Sequence, residues 1–172
     1  MQDRVNRVQQ SIRQLRLYLL HYGVHNSQLF SPNKMPSIVS GKIAQLTQQM
    51  NLLPSFQDNP GEFSYNDNIC QLLSEGVYSN VVYNFANRNN ASSCLALENG
   101  VLTQGFTAAL SGFITNASQL FTSHPQIYNY NVTQIEAYLA DPFFSSSSEL
   151  VDYLTLHLDW MLLGMKETLD YK

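Results

Sequence analysis

Charged residues are scarce in this sequence, and long apolar segments are absent. Only 13% of the 172 residues are charged, about half the ~25% that is usual for globular domains. Neutral polar side chains take their place, with 16 Asn, 14 Gln and 18 Ser. No apolar run approaches the roughly 20 residues that a membrane-spanning helix needs. The first 20 residues include Asp3 and four arginines, so they lack the pattern of a secretory signal peptide.

Basic residues are fewer than acidic ones, 9 against 13, and the formal net charge is −4. This charge disfavours a general nucleic-acid binder, and we therefore expect no nucleic-acid partner. Hydrophobic residues still make up 44% of the chain and aromatic residues 12%, which is enough for one sizeable core. The length predicts a single domain over residues 1–172.

Four segments have apolar residues at steps of three and four, the spacing of one helical face. In the first segment, five such residues run from Val5 to Leu19. In the last segment, the apolar residues widen to nearly all faces near the middle, which predicts contact with more than one neighbour or with a second chain. The four long helices are expected at about 1–22, 37–53, 93–122 and 147–171.

Short helices are expected between the long ones. One is predicted at about 65–75, and a capping box over 133–136 predicts another. The stretch 77–85 is expected to be helical or irregular, since no second strand-like run could pair with it. A capping box over 146–149, after a break at 141–142, is expected to begin the last helix. These elements predict an all-α fold, four-helix-bundle-like, with short inserted helices and long loops.

Charge is unevenly placed along the chain. Residues 1–53 carry six basic residues against one acid, whereas residues 54–172 carry three against twelve. The first helix is therefore expected to pack beside the last, with opposite charges facing across the contact. Alternatively, Arg13 and Arg16 could grip a small anionic ligand, because guanidinium groups bind carboxylates and phosphates in a forked geometry. A basic segment close to a membrane could also lie on anionic lipid.

Two cysteines, Cys70 and Cys94, could form one disulfide or stay as two buried thiols. A bridge would stabilise the fold by roughly 3.5 kcal/mol, since it closes a loop of about 25 residues. Three N-glycosylation sequons begin at Asn90, Asn116 and Asn131. The first and third are expected in loops or at helix starts, and the second lies inside a helical pattern. These features favour the extracellular or periplasmic side of a membrane.

Motifs of catalysis and cofactor binding are absent from the sequence. It has no nucleophile elbow, phosphate loop, HExxH pair or CxxC motif, so we expect neither an enzyme nor a bound cofactor. His21 and His25 have the spacing of metal ligands on a helix, but Gly23 lies between them and no acid or cysteine is close. No metal site is therefore expected, and His157 in the last helix is expected to pack at the edge of the core.

Aromatic residues outside the long helices form two clusters in the sequence. One contains Tyr78, Tyr83 and Phe85, and the other contains Tyr128, Tyr130 and Tyr138. They could cap the end of the bundle, or they could form an adaptable binding surface rimmed with Asn and Ser. The candidate ligand-binding residues are Arg13, Arg16, Tyr78, Tyr83 and Phe106.

Residues 94–121 have the sequence CLALENGVLTQGFTAALSGFITNASQLF. This segment resembles helical extracytoplasmic segments of large membrane receptors of protists. Two long terminal helices with shorter ones between them also look like a receptor ectodomain held between two transmembrane helices, as in the helical-bundle sensory receptors of bacteria. Both resemblances imply an extracytoplasmic receptor domain, and neither supplies ligand-binding residues.

The first functional hypothesis is an ectodomain that binds a small molecule or a protein and signals by relative movement of its terminal helices. A nearby membrane and a homodimer through those helices are further expectations. A structural, adhesion or assembly module and a soluble helical carrier of an apolar ligand are the alternatives. A receptor predicts chain ends that lie side by side, and an assembly module predicts an uncovered apolar strip on 147–171. A carrier predicts an enclosed pocket beside Gly105 and Gly112.

Overall fold

A computed structural model describes residues 2–23, 34–52, 67–80 and 91–170. All regular elements in these ranges are helical, and the same ranges contain no strand. The α-helices of the described part are α1 (Gln2–Gly23), α2 (Met35–Asn51), α3 (Ile69–Ser74), α4 (Ala91–Ala96), α5 (Phe106–Thr122), α6 (Val132–Leu139) and α7 (Pro142–Asp170). Its 3-10 helices are Val77–Asn80, Leu97–Gln104 and Ile127–Asn129.

α1 and α2 pack together as an antiparallel pair. Near the start of α1, the Arg4 guanidinium donates to the carbonyl of Leu52, just after α2, at 3.2 Å. Further along α1, the Lys42 ammonium donates to Gln14 Oε1 at 3.0 Å. Higher residue numbers in α1 thus face lower ones in α2, which fixes the antiparallel direction.

α7 also runs antiparallel to α1. Gln9 Nε2 donates to Asp159 Oδ1 at 2.5 Å, and Arg16 Nε donates to Ser147 Oγ at 3.1 Å. α1 therefore begins at the end of the bundle where α7 ends. We call this the lower end, and we call the opposite one, where α1 ends and α7 begins, the upper end.

α5 completes the bundle. Phe106 at its start stacks on His157 with ring centroids 6.1 Å apart, and Phe113 stacks on Phe143 at 5.7 Å, so α5 is antiparallel to α7. Around the ring, α1 contacts α2, α2 contacts α5, α5 contacts α7 and α7 contacts α1. The result is an up-down-up-down bundle, and the predicted all-α, four-helix-bundle-like fold is confirmed.

One cluster of buried residues fills the bundle. The stripe predicted on α1 is confirmed, since its five apolar residues from Val5 to Leu19 are all fully buried. Burial on α7 is broader: over 150–158 every side chain except that of Asp152 is buried. The reason is that α7 contacts α1, α5 and two of the 3-10 helices, as the wide apolar distribution predicted.

The prediction of a single helix over 93–122 is wrong. The chain leaves helical geometry at Glu98, Asn99 and Gly100, whose φ angles of 46°, 59° and 79° lie in the left-handed region, and again at Gly105, where φ is 99°. This conformation costs roughly 1–2 kcal/mol at a residue with a side chain. The Ser146 hydroxyl donates to Glu98 Oε1 at 3.0 Å, and this tertiary contact offsets part of the cost.

α7 begins at Pro142 rather than at the predicted position 147. The Phe143 amide donates to Asp141 Oδ1 at 2.9 Å, and a proline in the first helical turn has no amide proton to satisfy. Asp141 and Pro142 therefore begin a helix where the sequence predicted a break. The capping box predicted over 146–149 is wrong for the same reason.

α6 also begins earlier than predicted. Its N-cap is Asn131, which forms a capping box with Gln134, so the box predicted over 133–136 is wrong. Both boxes have suitable residue types, and the earlier one leaves α6 two residues longer at its start. α3 is shorter than the predicted 65–75, because Asn68 caps it by accepting from the Gln71 amide at 3.0 Å. α1 and α2 agree with their predicted bounds to within about two residues.

Candidate functional site

Arg16 is the central polar residue of the contact between α1 and α7. Its side chain is half-buried. Its Nε donates to Ser147 Oγ at 3.1 Å, and its Nη2 donates to the Phe144 carbonyl at 2.9 Å. Gln9 and Asp159 form a second polar link, lower on the same two helices. We call these hydrogen bonds the α1–α7 seam.

The predicted packing of the first helix beside the last is confirmed by this seam. Arg16 meets a hydroxyl and a carbonyl of α7 there, so an anion would have to share this guanidinium with the protein. Arg13 lies three positions earlier on α1 and is exposed. Binding of a small anion by these two arginines stays a prediction.

A cluster of aromatic side chains surrounds His157, which is fully buried on α7. The Tyr78 hydroxyl and His157 Nδ1 share a hydrogen bond at 2.8 Å. Phe106 stacks on the imidazole, with ring planes 23° apart, and Trp160 lies edge-on to Tyr78 with centroids 5.8 Å apart. We call these four residues the His157 cluster.

Tyr78 is neutral at physiological pH in this setting. Burial, and to a smaller extent the charge of Asp67, raises the pKa of its hydroxyl well above the usual value of 10.0. A neutral phenol can donate or accept in the hydrogen bond to His157 Nδ1, and the imidazole tautomer decides its direction. The two polar groups thus satisfy each other inside an apolar core.

A disulfide holds the segment that carries Tyr78. It joins Cys70 in α3 to Cys94 in α4, with the two Cα atoms 5.6 Å apart, and both cysteines are buried. The bridged alternative predicted from the sequence is therefore confirmed. Because Val77–Asn80 follows α3 and contacts α7, the disulfide and the Tyr78–His157 hydrogen bond connect α4 to α7.

A second aromatic group closes the upper end of the bundle. The Tyr22 hydroxyl donates to the His124 carbonyl, and Tyr130 and the His124 imidazole share a hydrogen bond at 2.7 Å. Tyr138 is buried, and its hydroxyl donates to the Leu19 carbonyl at 2.7 Å. Of the two roles predicted for these tyrosines, capping of the bundle end describes Tyr130 and Tyr138.

The structure brings together only part of the predicted ligand site. Tyr78 and Phe106 meet at His157. Arg16 bonds to Ser147, near the beginning of the same helix. At a rise of ~1.5 Å per residue, the Ser147 and His157 levels of α7 are about 15 Å apart. Arg16 therefore lies in the seam, whereas Tyr78 and Phe106 lie in the His157 cluster.

Several predicted residues cannot be placed in this way. Tyr83, Asn90 and His25 lie outside the described residues, so their proposed roles stay predictions. The other two sequons differ in setting: Asn131 is exposed at the start of α6, whereas Asn116 is half-buried within α5.

His157 and Trp160 were not among the predicted ligand-binding residues. His157 lies in the apolar run LTLHLDWMLL, which pattern analysis assigns to a buried face. A histidine in such a run needs a buried polar partner, and that requirement was the available signal. Sequence alone could not name Tyr78 as the partner, because 79 positions separate the two residues.

Within the described residues, no three His, Cys, Asp or Glu side chains cluster as metal ligands do. None of the described helices combines the length and hydrophobicity of a membrane-spanning segment. No protein-family model matches the chain, and no curated protein or solved structure matches it. The buried disulfide is typical of proteins from oxidising compartments, such as the outside of the cell.

Proposed function

We propose that this chain is an extracytoplasmic domain of a membrane receptor that binds a small molecule or a protein partner. Its signal is a relative displacement of α1 and α7. The disulfide between Cys70 and Cys94 supports the extracytoplasmic part of the proposal, since such bridges persist in oxidising compartments.

The arrangement of α1 and α7 is the observation that carries the proposal. Gln9 lies opposite Asp159, α1 begins at Gln2, and α7 ends at Asp170. At ~1.5 Å per residue, α1 extends about 10 Å below the Gln9–Asp159 contact and α7 about 16 Å. Both helices therefore point out of the same end of the bundle, the geometry needed to connect to two neighbouring membrane segments.

The α1–α7 seam is suited to a sliding signal. Packed helices shift by about 1–2 Å between discrete arrangements in many switching proteins. The seam consists of a few polar contacts, and those of Arg16 to a hydroxyl and a carbonyl can be exchanged for others at low cost because all partners are hydrogen-bonding groups.

The His157 cluster offers a route from a bound partner to α7. Tyr78 projects from the disulfide-linked segment and bonds directly to α7. A ligand or partner that displaces this segment therefore changes the position of α7 relative to α1. The alternatives of an assembly module and an apolar carrier stay predictions.

The test is the location of the native protein. An antibody against the folded chain is applied to intact and permeabilised cells, and the membranes are washed at alkaline pH. We expect labelling of intact cells and retention of the protein in the washed membranes. Labelling only after permeabilisation would overturn the proposal. Surface labelling with release by the wash would overturn it in favour of a peripherally attached module.

A further inference from the structure

The sequon at 131–133 lies on a surface turn of the bundle. Asn131 is exposed at the N-cap of α6, and Val132, which follows it, is 72% exposed. Thr133, the third position of the sequon, is exposed as well. All three positions that a glycosyltransferase reads in an Asn-x-Thr sequon are thus open to solvent.

The capping box leaves the reactive atom of Asn131 out of its hydrogen bonds. Asn131 Oδ1 accepts from the backbone N–H of Gln134 at 2.9 Å, and the backbone N–H of Asn131 donates to Gln134 Oε1 at 2.9 Å. The box therefore uses the carboxamide oxygen and the backbone, and it does not use Nδ2. A substituent on Nδ2 is compatible with the cap that begins α6.

Asn116 provides a contrast within the same chain. It is half-buried in the interior of α5, and the next residue, Ala117, is fully buried against the core. All three positions of this sequon lie within α5, and none of them is exposed. Both sequons match the Asn-x-Ser/Thr pattern, but the positions at 131–133 are exposed and those at 116–118 are not.

We infer that Asn131 carries an N-linked glycan and that Asn116 does not. In the transfer, a bond forms between Asn131 Nδ2 and the anomeric carbon of an oligosaccharide carried on a lipid pyrophosphate. The bond from that carbon to the pyrophosphate breaks, the lipid pyrophosphate leaves, and a base of the transferase takes one Nδ2 proton. The inference rests on the proposed extracytoplasmic location, where such donors are used.

The position of Asn131 gives the glycan a direction. Asn131 directly follows Tyr130, whose hydroxyl bonds to His124, and His124 accepts from Tyr22 in the last turn of α1. Asn131 thus belongs to the upper end of the bundle. The ends of α1 and α7 that would connect to membrane segments lie at the lower end of the bundle. The glycan therefore lies on the side of the bundle that faces away from that membrane.

The experiment directs the full chain into the secretory pathway of a eukaryotic cell behind a cleavable signal. The secreted protein is treated with peptide-N-glycosidase in heavy-oxygen water, which marks each former glycan site as labelled aspartate. We expect the label at Asn131 and none at Asn116. N131D keeps the capping oxygen and is expected to lose one glycan mass, T133S is expected to keep it, and N116D is expected to have no effect.

Protease mapping of the Cys70–Cys94 bridge in each variant shows that the bundle has folded. A folded protein without label at Asn131, or with label at Asn116, would overturn the inference. This outcome is independent of where the native protein resides, because the added signal supplies the location. Failure of the proposed function is detected separately by labelling of intact cells.

Discussion

The phenol of Tyr78 and the imidazole of His157 meet in the core at 2.8 Å, although 79 positions separate them in the chain. Their hydrogen bond ties the disulfide-linked segment to the most deeply buried part of α7. Both side chains are buried, so the pair places a polar contact inside a largely apolar interior.

The Tyr78–His157 hydrogen bond is expected to contribute to stability. Replacing Tyr78 by Phe removes the hydroxyl and leaves the buried Nδ1 without that partner, which costs about 1–3 kcal/mol. Urea unfolding followed by circular dichroism measures the change. Y128F is the matched control, since Tyr128 is 44% exposed and is expected to change stability little. Equal midpoints for Y78F and the unaltered chain would contradict the assignment.

Alkaline pH is expected to destabilise the fold. Burial raises the pKa of Tyr78 and of Tyr138 above the usual 10.0, so above about pH 10 the unfolded chain loses these protons before the folded chain does. Stability is therefore complete below pH 10 and falls as pH rises, by up to about 1.4 kcal/mol per pH unit for each tyrosine.

Unfolding midpoints between pH 8 and pH 12 check this dependence. Y138F is expected to flatten the alkaline decline, because one of the tyrosines whose pKa is raised by burial is then missing. Y128F again serves as the control and is expected to leave the slope unchanged. A decline equally steep in Y138F would show that Tyr138 is not responsible.

Gly23 and Gly41 are expected to respond in opposite ways to alanine. A Cβ on Gly23 would overlap the Tyr138 ring, and moving that ring disturbs its hydrogen bond to the Leu19 carbonyl. Overpacking of this kind costs roughly 1–3 kcal/mol. A Cβ on Gly41 meets no atom of the described residues within 4 Å, so G41A is expected to stabilise α2 by about 0.5–1 kcal/mol. Thermal melts of both variants decide the point, and a stable G23A would refute the close approach of Tyr138.

Loss of the disulfide is expected to weaken the whole fold. In the chain-entropy account, the bridge between Cys70 and Cys94 contributes roughly 3.5 kcal/mol. The double variant C70A/C94A is compared with the oxidised chain by urea unfolding. Because both cysteines are buried, reduction of the native protein is expected to be slow until denaturant is added. Rapid reduction without denaturant would indicate that α3 and α4 separate readily.

The four-helix architecture could be predicted because apolar residues at helical spacing indicate the long helices from the sequence alone. The apolar stripe on α1 could be identified without knowing which helices pack against it, and the residues of that stripe are the buried ones. The break at Glu98 has a signal that the apolar spacing does not contain, since Asn99-Gly100 is a dipeptide that favours a left-handed turn. Its left-handed backbone is held in part by Ser146, which is distant in sequence, and neither residue has an unusual local propensity.

Helix starts depend on competition between neighbouring caps. Asn131 and Asp141 each precede a helix whose start was predicted at a later position. Serines and threonines in the following turn offered equally acceptable caps, so local residue types did not decide between them. The candidate site had the same difficulty: Tyr78 and Phe106 were suggested from composition, but only the packing of α5 against α7 introduces His157 between them.

Because the start of α1 lies beside the end of α7, this domain is suited to insertion into a loop of another protein. The axes of packed helices are about 8–10 Å apart, so a recipient protein need open a loop by only that width to accept residues 2–170 as an insert. The recipient protein would keep its own fold on either side of the insertion point, and the inserted domain would be joined to it through two adjacent helix ends.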